Sequence, residues 1–217
     1  LAPGGREVAA GQAGVVQLLG VEDGLPIARF AIGAAGGATS GVPSPDGRTI
    51  TGGTVVLDEL RGILKLWDRS SGREIGDLSA SDLPLRPVFG PGGGIVAVPY
   101  QSGNVRVWNA RDGRLLHLLT DNAGSPVNRV DIDPRGRWIA SAGNDGFAYL
   151  WSATTGSMES ILVIADAALR FVRFSPDGRR VAVVGANGLV YICDVPSGEI
   201  LAELAGHEGA VTNAEFA

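Results

Sequence analysis

Cysteine, histidine and aromatic residues are scarce in this chain of 217 residues, which has one cysteine, two histidines and 6% aromatic content. A single thiol cannot close an internal disulfide, and Cys193, His117 and His207 have no metal-ligand spacing, so neither a disulfide framework nor a metal site is expected. Cys193 itself reads as a small buried apolar residue in a strand rather than a reactive thiol. Long apolar runs are also missing. The stretch 161–169 is far shorter than the ~20 residues a membrane helix needs, and it carries Asp166. No basic, apolar leader opens the sequence, so cytoplasmic residence is the expectation, and the absence of an initiator Met predicts a piece cut from a longer polypeptide or otherwise processed. The 18 basic and 23 acidic residues are interspersed, with no basic stripe of the kind phosphate backbones require, which argues against nucleic-acid binding.

Glycine and proline are abundant, at 33 and 12 residues, beside 45% hydrophobic and 19% charged residues. That composition suits many short strands joined by tight turns, and no segment sustains a helical apolar stripe, so an all-β fold is expected with negligible helix.

Three markers recur in phase. A hydrophobic strand ends in Trp or a substitute at Ile63-Leu64-Lys65-Leu66-Trp67-Asp68, Val105-Arg106-Val107-Trp108-Asn109, Phe147-Ala148-Tyr149-Leu150-Trp151-Ser152 and Leu189-Val190-Tyr191-Ile192-Cys193-Asp194, at intervals of 41, 43 and 42 residues. Pro-Gly turns begin near Pro3, Pro45, Pro91, Pro134 and Pro176, where Pro presets the first corner and Gly accepts a positive φ later in the turn. Gly24, Gly72, Gly113, Gly156 and Gly198 follow each Trp-equivalent position by four or five residues. Residues 1–217 therefore read as one domain of five repeats. An interval of about 40 to 45 residues is the length of one four-stranded propeller blade. The second repeat is the longest, with the surplus expected in residues 54–62, where Asp58-Glu59 would extend a loop or hairpin.

These motifs, with Phe174-Ser175-Pro176-Asp177-Gly178-Arg179 and Gly206-His207-Glu208-Gly209-Ala210-Val211, resemble the WD-repeat β-propeller family over essentially the whole chain. The resemblance implies antiparallel four-stranded blades, in either a closed five-blade ring or a five-repeat part of a larger ring. Arg6-Glu7-Val8-Ala9 aligns with Arg179-Arg180-Val181-Ala182, so the chain opens with the second strand of a blade and closes with a first strand. In a closed ring, residues 210–216 would supply the innermost strand beside residues 7–10, removing exposed strand edges. In an incomplete ring, the open blade faces would call for a partner or self-association.

Matched position by position, the family's buried hydrogen-bond chain falls on Ser141, Asp145 and Trp151, with His207 at the leading position of the last partial repeat. Ala13, Arg61, Ser102 and Asn187 occupy the aspartate position elsewhere, so most blades lack the full network. The family's partner-binding rim maps to Thr39, Leu85, Asn128, Arg170 and Thr212 just after the first-strand start, and to Gln12, Leu60, Gln101, Asn144 and Ala186 just before the turn aspartate. Arg86 and Arg129 add positive charge, and with Arg170 they favour an acidic protein or peptide segment.

No catalytic set emerges. His117 lies among leucines on an expected outer strand, and the glycine run 90–94 lacks the Lys-Ser and helix of a phosphate cradle. The expected function is a non-enzymatic interaction scaffold or sensor, without cofactor, within a larger protein of bacterial-looking, Gly-, Ala- and Arg-rich composition. The alternative is a small-ligand-binding or hydrolytic propeller with a central-channel site.

Overall fold

The computed structural model describes residues 6–12, 14–32, 37–38, 41–56, 61–120, 124–206 and 211–216. Among them there is no helix. The described residues form twenty strands in five antiparallel sheets, in chain order. The fold is an all-β set of propeller blades.

The chain divides into two compact units, Leu1–Val96 with Trp108–Leu115, and Ala97–Val107 with Leu116–Ala217. The first unit holds a three-stranded sheet of β1 (Glu7–Gln12), β2 (Val15–Gly20) and β3 (Pro26–Ala31), in that order. Its second sheet contains β4 (Gly37–Ala38), β5 (Val42–Pro43), β6 (Thr49–Val56), β7 (Arg61–Asp68) and β8 (Glu74–Asp77). Here the blade's first strand is split, because β4 and β5 each pair with β6. The surplus of the second repeat lies in the β6–β7 hairpin, whose ladder runs from Thr49 opposite Asp68 to Val56 opposite Arg61. The tip, residues 57–60, with Leu60, lies outside the described residues. Val16, Leu18, Phe30, Ile32, Ile50 and Trp67 form the core between these sheets. The Phe30 and Trp67 rings meet at 5.6 Å.

The third sheet comprises β9 (Val88–Phe89), β10 (Ile95–Pro99), β11 (Val105–Asn109) and β12 (Leu115–Leu119). The second unit continues with β13 (Val127–Ile132), β14 (Trp138–Gly143), β15 (Phe147–Ser152) and β16 (Met158–Ile164), then β17 (Leu169–Phe174), β18 (Arg180–Gly185), β19 (Val190–Asp194) and β20 (Ile200–Leu204). Between these two sheets lie Leu150, Leu162, Leu169, Val172, Val181 and Cys193, among others. Strands such as β14 and β18 are buried at nearly every position because both sheet faces are covered. Each fully buried aliphatic side chain contributes about 1.5–3 kcal/mol. Burial pushes the Cys193 thiol up to about 12, and the thiol donates to the Leu162 carbonyl oxygen at 3.4 Å. It is a packed, protonated group.

Sequence also dictates the hairpin corners. In the two Ser-Pro-Asp-Gly turns, the Ser44 and Ser175 hydroxyls each donate to the aspartate two residues on, at 2.6 Å, and each accepts the backbone N–H five residues on, at 3.0 Å. The Ser175 bond holds the Asp177 carboxyl below its ordinary range. Burial raises Asp46, but the Ser44 hydroxyl and Arg48 outweigh it and leave the carboxyl lowered. In the fourth turn Asp133 takes the serine's place and accepts the N–H groups of Arg137 and Trp138. The glycine turn at 90–94 closes with backbone bonds, Gly93 N–H to Gly90 O at 2.9 Å and Gly90 N–H to Ile95 O at 3.0 Å.

Residues 211–216, the segment expected to become a first strand, have no strand assignment. Their Val211, Ala214 and Phe216 side chains pack against the buried cluster of Ala182, Val184 and Val190 in the fifth sheet, as do Phe171 and Ile192. Hydrophobic contact places this segment without a backbone ladder among the described residues.

Candidate partner-binding rim

Two first strands of the second unit, β13 and β17, carry the same irregularity. Register slips between Val127 and Arg129 in one, and between Leu169 and Phe171 in the other. Each skipped residue is a β-bulge, which re-aims its side chain out of the ladder. The bulged residues are Asn128 and Arg170, two of the rim positions inferred from sequence.

Asn128 is half-buried, and its amide nitrogen donates twice. One N–H reaches Asn144 Oδ1 at 2.7 Å in the β14–β15 turn, and the other reaches the Leu169 carbonyl oxygen at 2.8 Å at the start of the next repeat. An Asn NH₂ has two hydrogens, so both bonds coexist. The backbone N–H of Asn144 in turn donates to Pro126 O at 2.9 Å. Arg170 is exposed. Arg129 stacks its guanidinium 5.1 Å from the centre of the Phe171 ring, a cation–π arrangement that fixes its direction. Gln101 is exposed in the β10–β11 turn, beside Tyr100, whose ring lies 4.8 Å from the Arg106 guanidinium. Ala186 is half-buried in the β18–β19 turn, and Thr212 is exposed in the unpaired terminal segment.

In the first unit, Leu85 and Arg86 line a cavity of about 290 Å³ with Thr54, Val55, Ile63 and the rings of Pro84 and Pro87. Sequence reading placed the two residues on a rim but gave no sign of the cavity. The Leu-Pro-Leu-Arg-Pro run that walls it was the available signal. Thr39 and His207 lie outside the described residues, and nothing is described of the Gln12 side chain.

The structure brings Ser141 and Trp151 together: the indole N–H donates to the Ser141 hydroxyl at 2.9 Å, both groups buried. Asp145 Oδ1 accepts the Phe147 N–H at 3.1 Å, an Asx turn that orders the β14–β15 corner. Asn187 does the same for Leu189 at 3.2 Å, and Ser102 instead accepts from the Asn104 amide at 2.8 Å. His117 is half-buried on β12 beside Gly156 of the next repeat. Among the described residues no three His, Cys, Asp or Glu side chains converge as a metal site.

Sequence reading passed over Asp131, a carboxylate on β13 that accepts the Phe174 N–H of the neighbouring sheet at 2.8 Å. Burial raises its pKa, and the Phe174 N–H, Arg173 and Arg129 offset that only in part. The folded state therefore holds the proton more tightly than the unfolded chain, so stability falls as pH rises from the ordinary carboxylate range through the raised value. Asp131→Asn keeps an acceptor for Phe174 and removes the buried charge. A higher melting temperature for this variant is expected at pH 7, with the gain shrinking as pH falls through the raised value and gone below about pH 4, where Asp131 is neutral in both states. Thermal melts of both proteins across pH check this.

Residues 113–152 match the family model for the WD domain, G-beta repeat. Meiotic recombination protein rec14 of Schizosaccharomyces pombe is 28% identical over 119 residues, which are 52% of this chain and 36% of that protein. Autophagy-related protein 16 of Arabidopsis thaliana is 27% identical over 153 residues, 69% of this chain and 30% of that protein. Protein LST8 homolog of Drosophila melanogaster is 33% identical over 60 residues, 28% of this chain and 19% of that protein. The chain thus spans well under half the length of these curated relatives.

Proposed function

We propose that this chain is a WD-repeat β-propeller module, as the match of residues 113–152 and the partial similarity of the three curated relatives support, and that it is a non-enzymatic scaffold or sensor that holds an acidic protein or peptide segment on its loop rim. WD repeats support a protein-interaction role in general. The finer reading is carried by one observation, the shared bulge that turns Asn128 and Arg170 out of successive first strands of the second unit. Arg170 offers an exposed guanidinium that forks onto carboxylates, and Arg129 beside it is steered by the Phe171 ring. Thr39, Leu85, Arg86, Gln101, Asn144 and Thr212 complete the proposed contact set.

The same proposal makes the chain part of a larger bacterial regulatory or signalling protein resident in the cytoplasm. It rests on the Gly-, Ala- and Arg-rich composition, the single cysteine and the family resemblance.

Binding to a displayed library of acidic peptides tests the rim. The expected result is enrichment of sequences rich in Asp and Glu, with Arg170→Glu weakening the best of them at least tenfold, about 1.4 kcal/mol, while the melting temperature stays put. Enrichment without acidic bias, or binding indifferent to Arg170→Glu, defeats the proposal.

A further inference from the structure

Two prolines reshape the first strand of the third repeat. Counted back from the residue before each turn, residues 84–89 stand where the fourth and fifth sheets place Val127–Ile132 and Leu169–Phe174. Those strands run six residues, whereas β9 is reduced to Val88–Phe89. Pro84 replaces Val127 and Leu169, and Pro87 replaces Val130 and Val172. A proline has no N–H to give a ladder, so the strand shortens.

The displaced segment is tied to β7. A Cβ at Gly62 would overlap the Pro84 ring, so glycine alone lets the ring approach, and the Gly62 N–H donates to Asp82 O at 3.4 Å. Between this segment and the β6–β7 hairpin remains the cavity of about 290 Å³. Val55, Ile63 and Leu64 wall it on the hairpin side, and Pro84, Leu85 and Pro87 on the other, all within the first unit. One wall is an eight-pair ladder and the other is held by proline rings, so the cavity is preformed and an occupant pays little to order it.

Arg86 completes the lining. It is exposed and has no hydrogen bond or ion pair among the described residues. The cavity is therefore apolar with one uncommitted cation beside it. Pockets that enclose a whole drug-sized ligand start at roughly 300 Å³, and this one falls just short of that. A cavity of about 150 Å³ already holds benzene, so the volume here suits a single phenyl or indole group carried by something larger.

We propose that this cavity anchors a protein segment in which Trp or Phe stands within two residues of Asp or Glu. The ring enters between Ile63 and the prolines, and the carboxylate meets Arg86. The proposal rests on the reading of the chain as a protein-binding module and gives the rim an apolar anchor in the first unit. The ring is the larger contributor, because aromatic side chains in desolvated pockets dominate binding energy while an exposed ion pair adds little.

A displayed peptide library selected on the whole chain tests this. The expected enrichment is for Trp or Phe within two residues of Asp or Glu, and Ala in place of the aromatic residue should weaken the best peptide at least tenfold. Val55→Trp fills the cavity from within. Its cross-strand neighbours are Gly37 and Gly62, which present no side chains, and the loss of binding should again be at least tenfold with unchanged circular dichroism. Arg86→Glu, at an exposed position, should weaken the peptide about fivefold, and Lys in place of its acid should restore binding to that variant. The charge exchange decides the matter even if Val55→Trp does not fold. Selection without aromatic residues, binding indifferent to Val55→Trp and Arg86→Glu, or free indole-3-acetate binding as tightly as the best peptide would overturn the proposal. Acidic peptides lost with Arg170→Glu but needing no aromatic residue would sink this inference alone. Aromatic-acidic peptides lost with Arg86→Glu but indifferent to Arg170→Glu would uphold it and sink the Arg170 reading.

Discussion

Trp151→Phe is expected to cost about 2–4 kcal/mol of stability, whereas the same change at Trp108 should cost clearly less. The two tryptophans hold equivalent places in successive repeats, but Trp151 is buried and Trp108 half-buried, and their indole N–H groups differ in partner. Trp151 donates to Ser141 at 2.9 Å, and the serine is fully buried. Losing the indole removes that bond, strands a buried hydroxyl and leaves a void. The Trp108 indole N–H is buried with no hydrogen-bond partner among the described residues. Ten residues before Trp151 stands Ser141, and ten before Trp108 stands Val98. Removing an unsatisfied donor relieves a desolvation penalty of roughly 1–3 kcal/mol, which offsets much of the lost packing. Urea unfolding of both variants, with Ser141→Ala and the double mutant, measures the difference and isolates the Ser141–Trp151 coupling. Equal losses at the two sites would refute this account.

The second large effect belongs to Gly146→Ala. Gly146 closes the β14–β15 turn with φ of 83°, and a Cβ there would collide with the backbone carbonyl oxygen of Ala165. That carbonyl belongs to a main chain already tied to Gly146, because the Ala165 N–H donates to the Gly146 oxygen at 2.9 Å. Neither side has a flexible group that can yield. Left-handed strain alone costs about 1 kcal/mol or more, and with the collision the expected loss is about 3–5 kcal/mol. Gly72→Ala serves as the control. Its φ is 70°, but nothing lies within 4 Å of the added methyl, so it should show the strain without the collision. Thermal or denaturant melts that rank the two equally would remove the collision from the explanation.

The repeat architecture was legible because it is written in local chemistry. Ser-Pro-Asp-Gly requires a tight turn wherever it occurs, and an alternating strand ending in Trp or Cys needs a blade on each side. The pairing of Ser141 with Trp151 followed from a family pattern of fixed spacing. What sequence did not show depends on neighbours distant along the chain. Asp131 looked like one acidic residue in a strand, and its role exists only because the Phe174 N–H of another sheet points at it. The split of the second blade's first strand into β4 and β5 was similarly hidden. The cavity beside Leu85 and Arg86 needs Pro84 and Pro87 to stand across from Ile63, which no periodicity announces. Residues 211–216 have a strand's side-chain pattern, and pattern alone supplies no hydrogen-bonding partner.

The amide of Asn128 has a last consequence. Both of its hydrogens are committed, one to Asn144 and one to Leu169, leaving its oxygen as the group with capacity for a visitor. Arg170, the residue directly after Leu169 and a donor only, demands the opposite polarity. A guest lying across both must therefore present a donor to one and an acceptor to the other, and reversing it end for end would mismatch each. On the proposed rim the pair would read direction as well as charge.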